Sequence, residues 1–579
     1  MLGLLGLLDL LGLGVLGLGL STLPVWASVA ASSPLDGTAV YRWRTAPTAL
    51  AELEGSADIW AYLPSTGELV VRLDAVQRAT WEEAGRSLVL DVERTASLDR
   101  ARQLLSAAAA TPAGAKSGAR ATITGFPCYR TVDETYAVLA AAAEARPSLA
   151  RWLDIGDSWR KEAGQEDGHD HHVLVLTNFD KPGPKPPLLI MAAMHPRELT
   201  TAEVATRFAL ELLAGYGVDA DATWLLDERE IHVVPHQNPD GRVEAEKGFL
   251  WRKNTNNDFC GDTADRGVDL NRNSAWFHGG ALSGFGPCDE FFKGPEALSE
   301  PETRTIHDYM DSIFVDRKGD MGAAAPPDTE GVLISLHSFG EVILYPWQGV
   351  SDISPNLVGL RALGRRFGAL TGGYAVCQTC IGKAGGTTTD AAHGDYGIAA
   401  FTFEIGTDFL EPCQRFESFV DPVMGPPLLY AAKVAAAPYE MSHGPVVLRV
   451  EPGATVNGLL DVQAELTDDL FESGGFGDEP VHNLVEARVW LGSEADAVDG
   501  IPMTPVDGQA DSPQESFVGA VSVSGLAPGR HLVFVQGRDA SGYWGAPTAA
   551  FFTLEADMSE VFRDGFELGS TAAWSLVEP

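Results

Sequence analysis

At 579 residues the chain is longer than one hydrophobic core organises, and roughly three or four folded units are expected. Its 45% hydrophobic and 21% charged residues match ordinary globular proteins, which excludes wholesale disorder and a polytopic membrane protein. The 41 basic against 80 acidic residues leave a formal charge of −39, which repels nucleic acid and anionic membrane surfaces and argues against both as partners.

Residues 1–32 read as a signal peptide: a Leu/Gly-rich run, MLGLLGLLDLLGLGVLGLGL, followed by small residues from Ala27 to Ser32. No Lys or Arg precedes the run and Asp9 interrupts it, so an uncleaved anchor is the alternative. Secretion of a mature protein free of the membrane is the expectation, because no other stretch approaches the length of a bilayer span. Residues 33–119 hold strand-like DIWAYLP and ELVVRL, a helical stretch from Asp74 to Ala84 and a strand at SLVLDV, a small α+β pattern. Ala107 to Ala119, AAAATPAGAKSGA, has little to bury and reads as a linker.

Over residues 120–438, helical patterns such as TVDETYAVLAAAAEA alternate with the apolar runs HVLVLTN, PLLIMAAM, EIHVVPHQN, GVLISLHS and AAFTFEIG. This predicts an α/β domain with a mixed central sheet flanked by helices, whose functional residues collect beyond strand ends. Residues 443–556 switch to short alternating strands separated by Gly, Pro and Asp turns, an all-β immunoglobulin-like sandwich, and residues 557–579 form a tail. Nothing in the sandwich resembles a catalytic constellation, although it could bind a surface or polymer.

The six cysteines are compatible with three disulfides in an exported chain. Cys260 and Cys288 bracket a Gly- and Asp-rich loop and pair first, while Cys128, Cys377, Cys380 and Cys413 leave three connectivities open. The motif Cys377-x-x-Cys380 lacks the second CxxC that a zinc ribbon requires.

His195-Pro196-Arg197-Glu198 stands between the apolar PLLIMAAM and a helical stretch, so His195 and Glu198 can turn a nitrogen and an oxygen toward one point. Such a pair alone is commonly a surface accident. His337 ends another apolar strand and supplies a third ligand, and three ligands with a fourth position for water is the catalytic arrangement of Zn²⁺. Glu404 closes AAFTFEIG, where an apolar setting raises a carboxyl's pKa toward that of a general base. The loop cluster His169-Asp170-His171-His172 reads as solvated, and His232 and His236 read as structural.

HPRE, NPDGR, WRKN, GVDLNRN, LHSFGEVILYPW and AAFTFE follow one another as in the zinc carboxypeptidases, and residues 122–438 resemble the carboxypeptidase A/T type. The resemblance implies one Zn²⁺ on His195, Glu198 and His337, with Glu404 as general base. It implies that Arg252 stabilises the oxyanion, that Asn271 and Arg272 grip the substrate's terminal carboxylate, and that Asp269 orients His195. Arg197 resembles an outer substrate-contacting arginine, with an ordinary surface arginine as the alternative. Residues 33–119 then take the place of a pro-domain with its activation segment, or of an accessory domain that is never removed.

The family carries a substrate-capping tyrosine upstream of the general base, but an ungapped count puts Gly382 there and leaves Tyr374 or Tyr396 as substitutes. The same count puts Thr389 at the floor of the specificity pocket. A neutral floor favours hydrophobic or broadly accepted terminal residues unless Asp390 or Asp395 reaches it. The expected activity is removal of C-terminal residues from peptides or proteins by a secreted, monomeric enzyme. The competing expectations are a zinc amidase or endopeptidase on cell-wall peptides and a noncatalytic peptide- or surface-binding protein.

Overall fold

The computed structural model describes residues 37–46, 53, 58–63, 66–99, 122–320 and 322–555. The expected leader, linker and tail lie outside them.

An N-terminal unit holds strands β1 (Ala39–Arg44), β2 (Asp58–Leu63) and β3 (Glu68–Leu73), helix α1 (Ala75–Glu83) and strand β4 (Val89–Leu90), with sheet order β2-β3-β1-β4. Asp74 starts α1 because its carboxylate accepts the backbone N–H groups of Val76 and Gln77, while Gln77 accepts the N–H of Asp74. Strand β3 is buried on both faces. Leu69, Val71 and Leu73 share a core with Trp81 of α1, whereas Val70 joins the core of the next unit together with Trp60 of β2.

The central unit begins with α2 (Val132–Ala145), whose Thr131 and Glu134 form a reciprocal cap. Its sheet contains β5 (Ala150–Asp157), β6 (Asp170–Leu176), β7 (Pro187–Met191), β8 (Glu230–Val234), β9 (Val332–His337), β10 (Val342–Leu344), β11 (Ala375–Cys377) and β12 (Ala399–Glu404). The eight strands lie in the order β11-β10-β12-β9-β7-β8-β6-β5. The pairs β12/β9, β9/β7 and β7/β8 are parallel, and β8/β6, β6/β5 and β10/β12 are antiparallel, so the sheet is mixed.

Every residue of β7 and β9 is buried, as expected for strands covered on both faces. The covering helices include α3 (Leu199–Gly215), α4 (Ala220–Glu228), α5 (Pro301–Ile313), α6 (Leu357–Leu370), α7 (Thr388–Tyr396) and α8 (Asp421–Val434). Parallel register pairs Glu404 of β12 with His337 of β9, and Met191 of β7 with Ser335, which brings three carboxyl-terminal strand ends together.

The C-terminal unit consists of β13 (Val446–Val456), β14 (Leu459–Thr467), β15 (Leu484–Leu491), β16 (Ile501–Pro502), β17 (Thr504–Pro505), β18 (Gln514–Ser522), β19 (Gly529–Asp539) and β20 (Thr548–Leu554). These form two four-stranded antiparallel sheets, β13-β14-β18-β17 and β16-β15-β19-β20, whose inner side chains, among them Val462, Leu466, Val489 and Val533, share one core. Trp490, Phe534 and Ala549 join the central unit's core instead, with Phe534 edge-on to Trp224 at 5.9 Å. At the same junction Lys433 pairs with Asp221 at 2.6 Å, and Arg229 with Glu494 at 2.7 Å.

The disulfides are Cys260–Cys288, Cys128–Cys413 and Cys377–Cys380. Among the described residues, no helix is long and apolar enough to cross a membrane.

Candidate functional site

His195 lies just past β7, and Glu198 is the residue that precedes the first turn of α3. His337 is the last residue of β9. His195 Nδ1 is 2.8 Å from Glu198 Oε1, and His337 Nδ1 is 3.2 Å from both His195 Nδ1 and Glu198 Oε2. Two imidazole nitrogens and a carboxylate thus converge, all three residues at most 3% exposed. Burial alone would raise the Glu198 carboxyl, but the imidazoles of His195 and His337 hold it below the ordinary carboxylate range. This donor set and spacing fit a divalent metal of the zinc class.

The far side of the His195 ring faces Asp269, with Nε2 3.1 Å from Oδ1. That carboxylate also accepts Nε and Nη2 of Arg252 at 3.0 and 2.9 Å and the backbone N–H of Asn271 at 3.0 Å. One fully buried aspartate therefore fixes the ring, the guanidinium and the turn that carries Asn271 and Arg272. The Arg272 side chain is held by the carbonyls of Leu282 and Asn271 at 2.6 and 2.8 Å, and both guanidinium groups lie over Phe291.

His195, Glu198, Arg252, Asn271, Arg272 and Glu404 all line one cleft. Burial pushes Glu404 up to about 7, with the Glu198 charge adding to the rise and His337, Arg252 and Arg272 opposing it.

The opposite wall of the cleft is strand β2 itself, through Ile59, Trp60, Ala61 and Tyr62. Trp60 packs on Phe409 at 5.2 Å and Phe339 at 6.3 Å. Asp58 binds Arg72 at 2.7 Å and Arg197 at 3.5 Å, and Arg197 also donates to Glu290 at 2.9 Å. Arg197 is thus fully buried under the N-terminal unit and does not line the cleft, so it is no ordinary surface arginine. The space left is about 120 Å³, well below the roughly 300–1,000 Å³ of a small-molecule site.

Neither Tyr374 nor Tyr396 lines the cleft. The hydroxyl of Tyr374 accepts the N–H of Gly406 at 3.1 Å, and that of Tyr396 is bonded to Asp311. Ile381, Gly382 and Lys383 stand where the ungapped count pointed. Gln348, which no sequence feature marked, lines the cleft with Thr402, whereas Thr389 does not line it and lies behind Gln348, whose Nε2 donates to Thr389 Oγ1 and Thr402 Oγ1, both at 2.9 Å. Asp390 turns away to accept the backbone N–H groups of Gln348 and Gly349, and Asp395 accepts from Trp276.

The histidine cluster is not solvated as the sequence suggested. His169 Nδ1 lies 2.8 Å from Asp240, His172 stacks on Trp152, and His171 is fully buried at the start of β6 with neither ring nitrogen hydrogen-bonded. Strand alternation, which the polar flanks masked, turns His171 inward. Burial depresses its pKa from 6.5 to about 4. The unfolded chain therefore binds more protons between these values, and stability is lost as pH falls from 6.5 toward 4. Replacing His171 by Leu should make stability, measured by denaturant unfolding, less pH-dependent by roughly 2 kcal/mol between pH 8 and pH 5. An unchanged dependence would refute a neutral buried His171.

The family model described as zinc carboxypeptidase matches residues 135–421. Rat carboxypeptidase A1 is 30% identical over 293 residues, covering 48% of this chain and 63% of the relative. Human carboxypeptidase A1 is 30% identical over 302 residues, covering 50% and 65%. Mouse carboxypeptidase A2 is 28% identical over 232 residues, covering 39% and 49%, so the chain spans about half to two thirds of these relatives' lengths. Among solved structures, carboxypeptidase A from Helicoverpa armigera superposes with a TM-score of 0.55 at 24% identity, over 70% of this chain and 98% of that one. Thrombin activatable fibrinolysis inhibitor gives 0.52 at 19% identity, over 69% and 99%. These two likenesses speak for the fold.

Proposed function

Residues 135–421 belong to the zinc carboxypeptidase family, and from that premise we propose that the chain is a secreted zinc exopeptidase that removes C-terminal residues from peptides or proteins. The single observation that carries the reading is one cleft lined by His195, Glu198, Arg252, Asn271, Arg272 and Glu404, with His337 converging on His195 and Glu198 to complete the trio. His195, Glu198 and His337 would hold Zn²⁺. When bound there, the ion would supply Lewis acidity, lowering the pKa of water toward neutrality and polarising a carbonyl.

Glu404 takes the proton of the attacking water on its carboxylate and returns it to the leaving amine. Arg252, held on Asp269, directs donors at the oxyanion that forms on the carbonyl. Asn271 and Arg272 bind the terminal carboxylate, for which a planar guanidinium fork is suited. The neutral lining of Gln348 and Thr402, with Thr389 holding the Gln348 amide from behind, favours uncharged terminal side chains. No covalent acyl-enzyme forms.

The N-terminal unit acts as a pro-domain, a role supported by β2 forming one wall of the cleft and by the Asp58 ion pairs with Arg72 and Arg197. The immunoglobulin-like sandwich braces the central unit, as its shared core residues Trp490, Phe534 and Ala549 support. The three disulfides support an oxidising, extracytoplasmic setting.

The test is mass spectrometry of a peptide panel treated with the N-terminally trimmed protein, with and without a zinc chelator. Stepwise loss of C-terminal residues that stops with chelator is expected, whereas internal cuts would favour the endopeptidase reading. Replacing Arg272 by Ala should lower kcat/KM by roughly 10- to 150-fold, the value of about 1.5–3 kcal/mol for hydrogen bonds to a charged group. The same peptides with amidated ends, already poor substrates, should be unaffected by the substitution. An equal loss on both would mean that Arg272 serves the fold and not the carboxylate.

A further inference from the structure

Far from the cleft, Asp468 directly follows β14 and Asp539 ends β19, and both are fully buried. His482, in the connection that leads into β15, is set between them. Its Nδ1 lies 3.7 Å from Asp468 Oδ2 and 3.7 Å from Asp539 Oδ2.

The Asp539 carboxylate is satisfied on one side only. Oδ1 accepts from Ser541 Oγ at 2.7 Å, from the N–H of Gly542 at 3.0 Å and from that of Tyr543 at 3.1 Å. Oδ2, aimed at His482, accepts no hydrogen bond. Asp468 gives Oδ1 to Arg366 at 3.0 Å, while its Oδ2 accepts the backbone N–H of His482 at 2.7 Å. A buried carboxylate oxygen without a donor is costly; the Arg366 guanidinium is bonded to Asp468, whereas Asp539 Oδ2 has no donor, so the Asp539 charge is left uncompensated while the imidazole is neutral.

We propose that Asp468, His482 and Asp539 form a second metal site that takes a first-row divalent cation such as Zn²⁺ or Mn²⁺. The mixed nitrogen and oxygen set selects this class over Ca²⁺ and Mg²⁺, which prefer oxygen ligands alone. Bonds of about 2.1 Å to a tetrahedral ion separate neighbouring ligand atoms by roughly 3.4 Å. The 3.7 Å spacings approach that value, and those of the His195–Glu198–His337 trio, at 2.8 to 3.2 Å, bracket it from the other side. The half-buried His482 side chain, 35% exposed, leaves an entry route and room for a solvent ligand.

The site has a structural role to play. Arg366 of α6 also donates to the carbonyls of Asp468, Leu470, Ser442 and Gly444, and Glu479 of the same connection pairs with Arg361 and Arg365. A cation on Asp468 and His482 would lock this connection to β19 and stiffen the joint between the sandwich and the central unit.

The experiment uses the full chain, stripped of metal, reloaded with Zn²⁺ and desalted, with bound ions counted by native mass spectrometry. The expected count is two in the unaltered chain and one in Asp539→Asn or His482→Gln, with peptide hydrolysis by trimmed His482→Gln unchanged. In a Glu198→Gln background, which removes the other site, added Zn²⁺ should still raise Tm by several degrees, and the raise should vanish when Asp539→Asn is added. A count of one in the unaltered chain with none in Glu198→Gln overturns the proposal. So does an unchanged count in both Asp539→Asn and His482→Gln, which would leave His482 as a protonated bridge between two carboxylates. Neither result bears on the function of the cleft.

Discussion

Glu404→Gln is expected to lower kcat by roughly 10²–10⁴-fold, the usual contribution of a positioned general base, with metal content unchanged. The amide has the shape of the carboxyl but cannot accept a proton at the same atom. The register of β12 on β9 sets Glu404 beside His337, so the variant keeps its backbone place and the measurement isolates proton transfer. The pKa of about 7, raised first by burial, marks a carboxyl that is a stronger base than one in water. The variant should melt at or slightly above the temperature of the unaltered chain, because it removes a carboxylate buried near Glu198. The decisive comparison is kcat against zinc content and Tm: retention of a tenth or more of kcat in a zinc-loaded, folded variant would remove Glu404 from the mechanism.

Release of the N-terminal unit is the second large effect. With β2 in place the cleft retains about 120 Å³, and the proposed pro-domain role requires the unit to lift away before a peptide reaches Glu404. Lifting separates Trp60 from Phe409 and Phe339 and breaks the Asp58–Arg197 pair inside a buried network. If docking is worth about 3 kcal/mol, the open fraction is near 1%, and trimming should raise activity about 10²-fold. Asp58→Ala in the intact chain should raise its basal activity, because the substitution removes the carboxylate that ties Arg72 of the N-terminal unit to Arg197 of the central unit and leaves Arg197 to Glu290 alone. Equal rates before and after trimming would show that the unit is an accessory domain.

The parts of the site legible in the sequence are those that strand ends dictate. His195, His337 and Glu404 each follow a buried, largely apolar run, and a charged or imidazole side chain there has few places to go except beyond the sheet's edge. The mixed sheet was legible for the same reason, since fully buried strands read as continuous hydrophobic segments. What covers the cleft was not legible. Trp60 and Tyr62 look like ordinary inward positions of an alternating strand, and only the docked arrangement reveals what they face.

Arg197 was hard to place because its partner Asp58 is 139 residues away. Gln348 lay in no motif, and its place in the cleft comes from two threonines on other elements. His171 was misread because its flanks are acidic and glycine-rich, while its own burial is decided by the strand's two-residue period.

The bridge between Cys128 and Cys413 closes a ring of chain with a separation of 285 residues, and every strand of the central sheet falls inside it. The loops at Cys260–Cys288 and at residues 315–330 fall inside it as well. A single cut by another protease in any of these loops would therefore open the ring without releasing a fragment. Such a nicked molecule would run as one species on a denaturing gel until reductant was added, and then as two.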